Sequence, residues 1–262
     1  MFFRGAALLP EYIGYLLFAK SRHGTHSPFV YEFAENVLYK RIEDPRFYDI
    51  ELVRQRMLSS AATIAVDDFG ASGKKTYKAP LAKLVARSSK NSKYAKLLYR
   101  ICRYYQPEIA IELGTNFGMS AMYQAIALTQ GKLFTIEGSL KIAEIAHFNF
   151  NKIGLQDSVQ LFHGVFDNAL PALLTQLPRV DYAFIDGNHK KDATLKYFEM
   201  FLEKSHNDTI FVFDDIRWSE DMHECWEIIK NHEKVRVSID LFFMGIVFLR
   251  QQQEKEHFVL RF

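Results

Sequence analysis

"IAIELGTNFGMS", residues 109–120, decides how this chain folds. A compact β-branched run ends in an acid, Glu112. A turn holding Gly114 and Gly118 follows, and then the helical stretch "MSAMYQAIALTQ". A strand that passes through a glycine turn straight into a helix lets main chain approach a ligand, and the helix start offers unpaired N–H groups to an anion. The spacing is not that of a dinucleotide loop, G-x-G-x-x-G, because Thr115, Asn116 and Phe117 separate the two glycines. It suits a ligand whose amino-acid tail, rather than a pyrophosphate, crosses the turn. A second acid, Glu137 in "KLFTIEG", closes the next strand. A carboxylate at that position can accept both hydroxyls of a ribose.

Downstream the alternation continues. "SVQLFHG", "VDYAFIDG" and "TIFVFDD" read as short strands that are apolar on both faces, and "LKIAEIAHFNFNKI", "NALPALLTQL" and "DATLKYFEMFLEKS" read as the helices between them. Such strands belong to a parallel sheet buried between helix layers, so the fold class is α/β, doubly wound. After "MHECWEIIKNHEK" the alternation stops. "VRVSIDLFFMGIVFLR" reads as an antiparallel hairpin turning near Phe243–Gly245, and "HFVLRF" as a further short strand. The expected organisation is an N-terminal helical cap and connecting loop over 1–91, followed by the ligand-binding domain over 92–262.

A second glycine loop, "VDDFGASGKKT" (66–76), resembles the first in composition only. Gly70 and Gly73 enclose two residues where a phosphate-binding P-loop needs four, and "SSAATIAV" before them makes a poor strand. It is expected to be a flexible connection between cap and domain, close enough to touch substrate.

The totals exclude several classes. A net charge of +2 gives no field that would gather nucleic acid. Cys102 and Cys225 show neither disulfide-scaffold nor zinc spacing, which suits a reducing cytoplasm. The N-terminal apolar run is broken by Pro10 and Glu11, and no segment reaches a membrane span, so stable membrane insertion is not expected. The N-terminal region is read as an amphipathic helix that packs on the main domain or on a second copy of the chain, as a homodimer.

"IELGTNFGMSAMYQA", "FTIEGS", "VDYAFIDGNH" and "IFVFDDI" together resemble the class I S-adenosylmethionine-dependent methyltransferases, and among these the catechol-type small-molecule O-methyltransferases and their bacterial relatives. The likeness covers roughly Ser92 to Arg250. It implies a seven-stranded, mostly parallel Rossmann-like sheet whose last strand is antiparallel. It further implies that Glu112 and Gly114, with Thr115, Asn116 and Gly118 of the same turn, line the methionine end of S-adenosyl-L-methionine. Ser120 would bond its carboxylate, Glu137 would hold the ribose beside Gly138 and Ser139, and Gly164, Val165 and Phe166 would meet the adenine. Ser120 reads equally as a helix N-cap, and Phe166 as core packing.

In catechol-type enzymes, acids at the ends of the fourth and fifth strands hold magnesium. The corresponding residues here are Asp186, Asp214 and Asp215, the last standing where those enzymes usually carry asparagine. Three carboxylates suit Mg2+ or another hard divalent cation; the alternative is that Asp186 faces cofactor or substrate without metal. The family's catalytic lysine, three residues after the first acid, is replaced by His189, and histidine is a residue type that can act as the base. It can also serve only as a hydrogen-bonding group. "KSRHGTHSP" offers Arg22, His23 and His26 as a lid, and Trp218 a pocket wall. The expected activity is transfer of a methyl group to an oxygen of a small-molecule acceptor. A catalytically degenerate cofactor-binding protein and an NAD-dependent oxidoreductase are the alternatives.

Overall fold

The computed structural model describes residues 5–21, 24, 26–69 and 75–262. Arg22, His23, Gly70 and Gly73 lie outside the described residues. The chain forms two compact units: Arg41–Asp181, and Met1–Lys40 together with Tyr182–Phe262. The first forty residues are tied to the last.

Helix α1 (Gly5–Phe18) begins the chain, and α2 (Pro28–Phe33) runs into a π-helical turn, Ala34–Leu38. Ser27 caps α2 by accepting the Val30 N–H, and Pro28 sits where its missing N–H costs nothing. Tyr15 of α1 packs on the ring of Phe242, and its hydroxyl donates to the Leu260 carbonyl. The Lys20 N–H donates to the Val259 carbonyl at 2.9 Å, so the C-terminal stretch runs parallel to the segment after α1.

In the unit Arg41–Asp181, α3 (Arg46–Leu58) leads into β1 (Thr63–Asp68) and β2 (Lys75–Pro80), an antiparallel pair. Here the expectation of a flexible connection is corrected: Val66–Asp68 and Lys75–Thr76 are strand. Ile64 and Val66 are buried while Thr63 and Ala65 face solvent, a period of two that the alanines and acids of the sequence conceal. Pro80 ends β2 and stands immediately before α4 (Leu81–Ser88). Then come α5 (Ser92–Tyr105), β3 (Ile109–Leu113), α6 (Met119–Ala125), β4 (Lys132–Glu137), α7 (Leu140–Lys152), β5 (Val159–His163) and α8 (Phe166–Gln176). Strand β4 pairs in parallel with β3 and β5, with Leu113 opposite Ile136 and Glu137 opposite His163. The C-terminal ends of the three strands therefore finish level.

The other unit continues with β6 (Val180–Ile185), α9 (Lys191–Leu202), β7 (Ser205–Asp214), α10 (Glu220–Asn231), β8 (Val237–Asp240), β9 (Met244–Phe248) and β10 (Glu256–Val259). Strand β9 is antiparallel to both β7 and β8, as the hairpin pattern predicts. β10 adds in parallel to β8 at the edge. Among the described residues the mostly parallel sheet of this α/β fold has eight strands, β10 being the one beyond seven. Phe211, Phe213 and Trp226 are buried here, and burial of each such side chain contributes about 1.5–3 kcal/mol. Gly245 has no room for a side chain: a Cβ there would lie 2.5 Å from the Trp226 ring.

Candidate functional site

The ends of β3, β4 and β5 are laced together by main chain. Gly114 and Thr115 both donate N–H to the Ile136 carbonyl at 3.1 Å, and Gly164 donates to the Glu137 carbonyl at 2.9 Å. Gly114 and Gly118 have φ of 100° and 83°, a conformation that penalises any residue with a Cβ. At Gly118 a Cβ would also lie 2.6 Å from the Phe150 ring, so both backbone and packing demand glycine there.

Glu137 is the hinge pin of this edge. One carboxylate oxygen accepts the Asn116 N–H and the other the Ser139 N–H, each at 2.8 Å. Each oxygen has a second lone pair to offer a ligand. Burial pushes its pKa above the ordinary 4.5, while the backbone N–H groups of Ser139, Asn116 and Gly138 and the nearby His163 pull the other way.

Glu112 and Thr115 depart from expectation. Both are wholly buried at 0% exposure. The Glu112 carboxylate accepts from Gln124 Nε2 at 2.8 Å and Thr135 Oγ1 at 2.7 Å, and Thr135 Oγ1 lies 2.6 Å from Thr115 Oγ1. These side chains brace the glycine loop from beneath, and no surface of theirs is left to touch a ligand. Gly114, Asn116 and Gly118 form the loop itself, and Ser120 is buried in the first turn of α6. Gly164, Val165 and Phe166 follow β5 and open α8; Val165 and Phe166 are half-buried. Ser139 Oγ accepts the Asp67 N–H at 3.3 Å, a link to β1 that no sequence signal announces.

In the other unit, the candidate chemistry lies after β6 and β7. Asp186 is half-buried, and His189 Nε2 stands 3.9 Å from its carboxylate. The His189 ring tilts against Trp218, with centroids 5.6 Å apart. Asn188, His189 and Asp215 all have positive φ, at 68°, 44° and 52°. Non-glycine residues held there cost about 1 kcal/mol or more each, and such strain gathers at functional sites. Asn188 is held by donating to the Tyr197 hydroxyl at 3.1 Å. Arg217 grips Asp240 bidentately, at 2.8 and 2.6 Å, and donates to the Phe242 carbonyl, which fixes the loop carrying Trp218 to the end of β8. Sequence reasoning misses this clamp, because nothing in the sequence pairs positions so far apart.

The three-carboxylate metal site finds no support in the side chains. Among the described residues, no group of three His, Cys, Asp or Glu side chains could hold a metal ion. Asp214 is the last residue of β7 and only 5% exposed, whereas Asp215 turns off at positive φ. The lid expected of "KSRHGTHSP" rests on an exposed His26 alone, since Arg22 and His23 lie outside the described residues.

Residues 111–216 match a methyltransferase domain family. The chain resembles the class I S-adenosylmethionine-dependent O-methyltransferases. It is 32% identical over 134 residues to a catechol O-methyltransferase of Niastella koreensis, covering 50% of this chain and 58% of that one. It is 33% identical over 106 residues to the Bos taurus catechol O-methyltransferase, covering 39% of this chain and 38% of that one. The chain thus spans little more than half the length of the first curated relatives it matches. Among solved structures, an O-methyltransferase from Bacillus cereus in complex with SAH superposes with a TM-score of 0.59 at 21% identity, covering 84% of this chain and 97% of that one. The O-methyltransferase TomG from Streptomyces achromogenes, in complex with SAM, gives 0.56 at 20% identity, covering 84% and 94%. These likenesses are of fold.

Proposed function

We propose that the chain is an S-adenosylmethionine-dependent O-methyltransferase acting on a small molecule. The observation that carries this is the Glu137 carboxylate, fastened by the Asn116 and Ser139 N–H groups where three parallel strands end beside a glycine turn. That is the ligand edge of a doubly wound sheet.

Asn116, Gly114 and Gly118 would then border the amino-acid end of the cofactor, Ser120 would donate to its carboxylate, and Glu137 would accept from its ribose hydroxyls. Gly138, Ser139, Gly164, Val165 and Phe166 would complete the nucleoside side. Bound there, the cofactor supplies an activated methyl group. What remains for the protein is to orient an acceptor oxygen and to take its proton. His189 fits the role of proton acceptor, because an imidazole nitrogen can take the proton and the Asp186 carboxylate stands 3.9 Å away.

Residues 92–262 hold these groups and are proposed as the catalytic domain, after an N-terminal region whose α1 leaves Leu9, Ile13 and Leu17 exposed. A cytoplasmic location is supported by Cys102 and Cys225, both buried and not joined in a disulfide. No helix among the described residues is long and apolar enough to cross a membrane.

The test is transfer of label from methyl-labelled S-adenosylmethionine to a panel of phenols, catechols and carboxylic acids, each with and without EDTA. Labelled product from at least one hydroxylated acceptor is expected. Transfer to nitrogen acceptors alone would contradict the proposal, and loss of activity in EDTA would restore the metal.

A further inference from the structure

The hairpin of β1 and β2 has no counterpart among the roles assigned above, yet it is tied to the Glu137 edge at two places. Asp67 donates its N–H to Ser139 Oγ at 3.3 Å, and Ser139 in turn donates its own N–H to Glu137. The mouth of the hairpin is closed by Thr76 Oγ1 donating to Asp67 Oδ1 at 2.6 Å. Two residues beyond Asp67, the ring of Phe69 lies directly over Gly138. A Cβ at residue 138 would lie 2.8 Å from Phe69 Cδ2 and 3.3 Å from Cε2. Gly138 is not among the residues of positive φ, so its backbone conformation makes no demand for glycine. Phe69 makes that demand, because its ring takes the volume that a side chain after Glu137 would fill.

We infer that Phe69 is a wall of the nucleoside subsite, a binding residue delivered by the hairpin to the position beside the ribose-binding carboxylate. The ligand chemistry is that of a purine nucleoside: the ribose meets Glu137, and the aromatic face of Phe69 is offered to the base. The inference rests on the cofactor role proposed for Glu137. It gives a role to "VDDF", whose Val66–Asp68 lie in β1 at this edge. Aromatic stacking on a base is tolerant of base identity and is lost when the ring is removed.

The probes are S-adenosylhomocysteine and adenosine, titrated calorimetrically into the full-length chain and its Phe69→Ala, Phe69→Leu and Phe69→Tyr variants. Phe69→Ala is expected to weaken both ligands by about tenfold. Phe69→Tyr should restore binding, and Phe69→Leu, which keeps bulk but has no π face, should stay weak. The leucine variant carries the test if the alanine variant fails to fold. Wild-type binding of S-adenosylhomocysteine with unchanged affinity in Phe69→Leu would overturn the role of Phe69 and leave Glu137 untouched. Absence of binding to the wild type would overturn both.

Discussion

Two strand-end clusters are proposed to carry the chemistry, and they are built differently. After β3 and β4 the chain uses glycine where φ must be positive, at Gly114 and Gly118, and pins the turns by main-chain bonds to Glu137 and Ile136. After β6 and β7 it holds Asn188, His189 and Asp215 at positive φ without glycine, and fixes the neighbouring loop by the Arg217–Asp240 ion pair. The first cluster is preorganised by the backbone and is proposed to hold a fixed cofactor. The second presents side chains under strain and is proposed to handle a proton. A cofactor cradle tolerates little change in main chain, while a proton acceptor requires one side chain in one orientation.

Four substitutions or titrations probe that contrast, and the greatest effect is expected at the second cluster. His189→Ala should lower kcat by about 10²- to 10⁴-fold while leaving the cofactor Kd unchanged, measured by steady-state kinetics and calorimetry. Equal losses in both would mean that the two clusters are not functionally separate. Arg217→Ala leaves Asp240 without its bidentate partner in a largely buried setting. It should destabilise the fold by about 3 kcal/mol, read as a lowered denaturation midpoint. Retention of wild-type stability would show that the loop carrying Trp218 is held by packing alone.

At the first cluster, Glu137→Ala should weaken S-adenosylmethionine by more than about tenfold, the value of losing hydrogen bonds to a charged acceptor, with little change in kcat at saturating cofactor. The mildest effect concerns pH. Burial raises the Glu137 pKa above 4.5, so in the free protein its ionisation opposes folding. That penalty is full above the raised pKa and disappears as pH falls from there to 4.5. Cofactor binding needs the ionised form and should follow the opposite course, weakening as pH falls through the raised pKa, before an ordinary glutamate would titrate. Glu137→Ala should lack this dependence. A flat affinity profile in the wild type down to pH 4.5 would remove the carboxylate from the ribose.

The sequence makes one of these clusters far easier to read than the other. Buried parallel strands advertise themselves as apolar runs, and glycines at forced φ mark the first cluster, so β3 to β5, Gly114, Gly118 and Glu137 are readable. Glu112 is legible as an acid but not as one turned inward, since Gln124 and Thr135 become its partners only once α6 and β4 are folded. Asp186, Asp214 and Asp215 suggest a metal site because a sequence counts carboxylates without their separations, and among the described residues no group of three such side chains could hold an ion. Positive φ at His189 and Asp215 leaves no compositional trace. The hairpin of β1 and β2 is hidden because two acids and a glycine-rich stretch look like loop, and what makes it a strand is burial of Ile64 and Val66. The knitting of Lys20 to Val259 joins opposite ends of the chain, beyond the reach of any local pattern.

The most direct test of the cofactor role is a calorimetric titration of S-adenosylhomocysteine into the wild-type chain and into Glu137→Ala at neutral pH. Saturable one-to-one binding that weakens more than about tenfold in the variant is predicted. No binding to the wild type, or equal affinity in both, would contradict it.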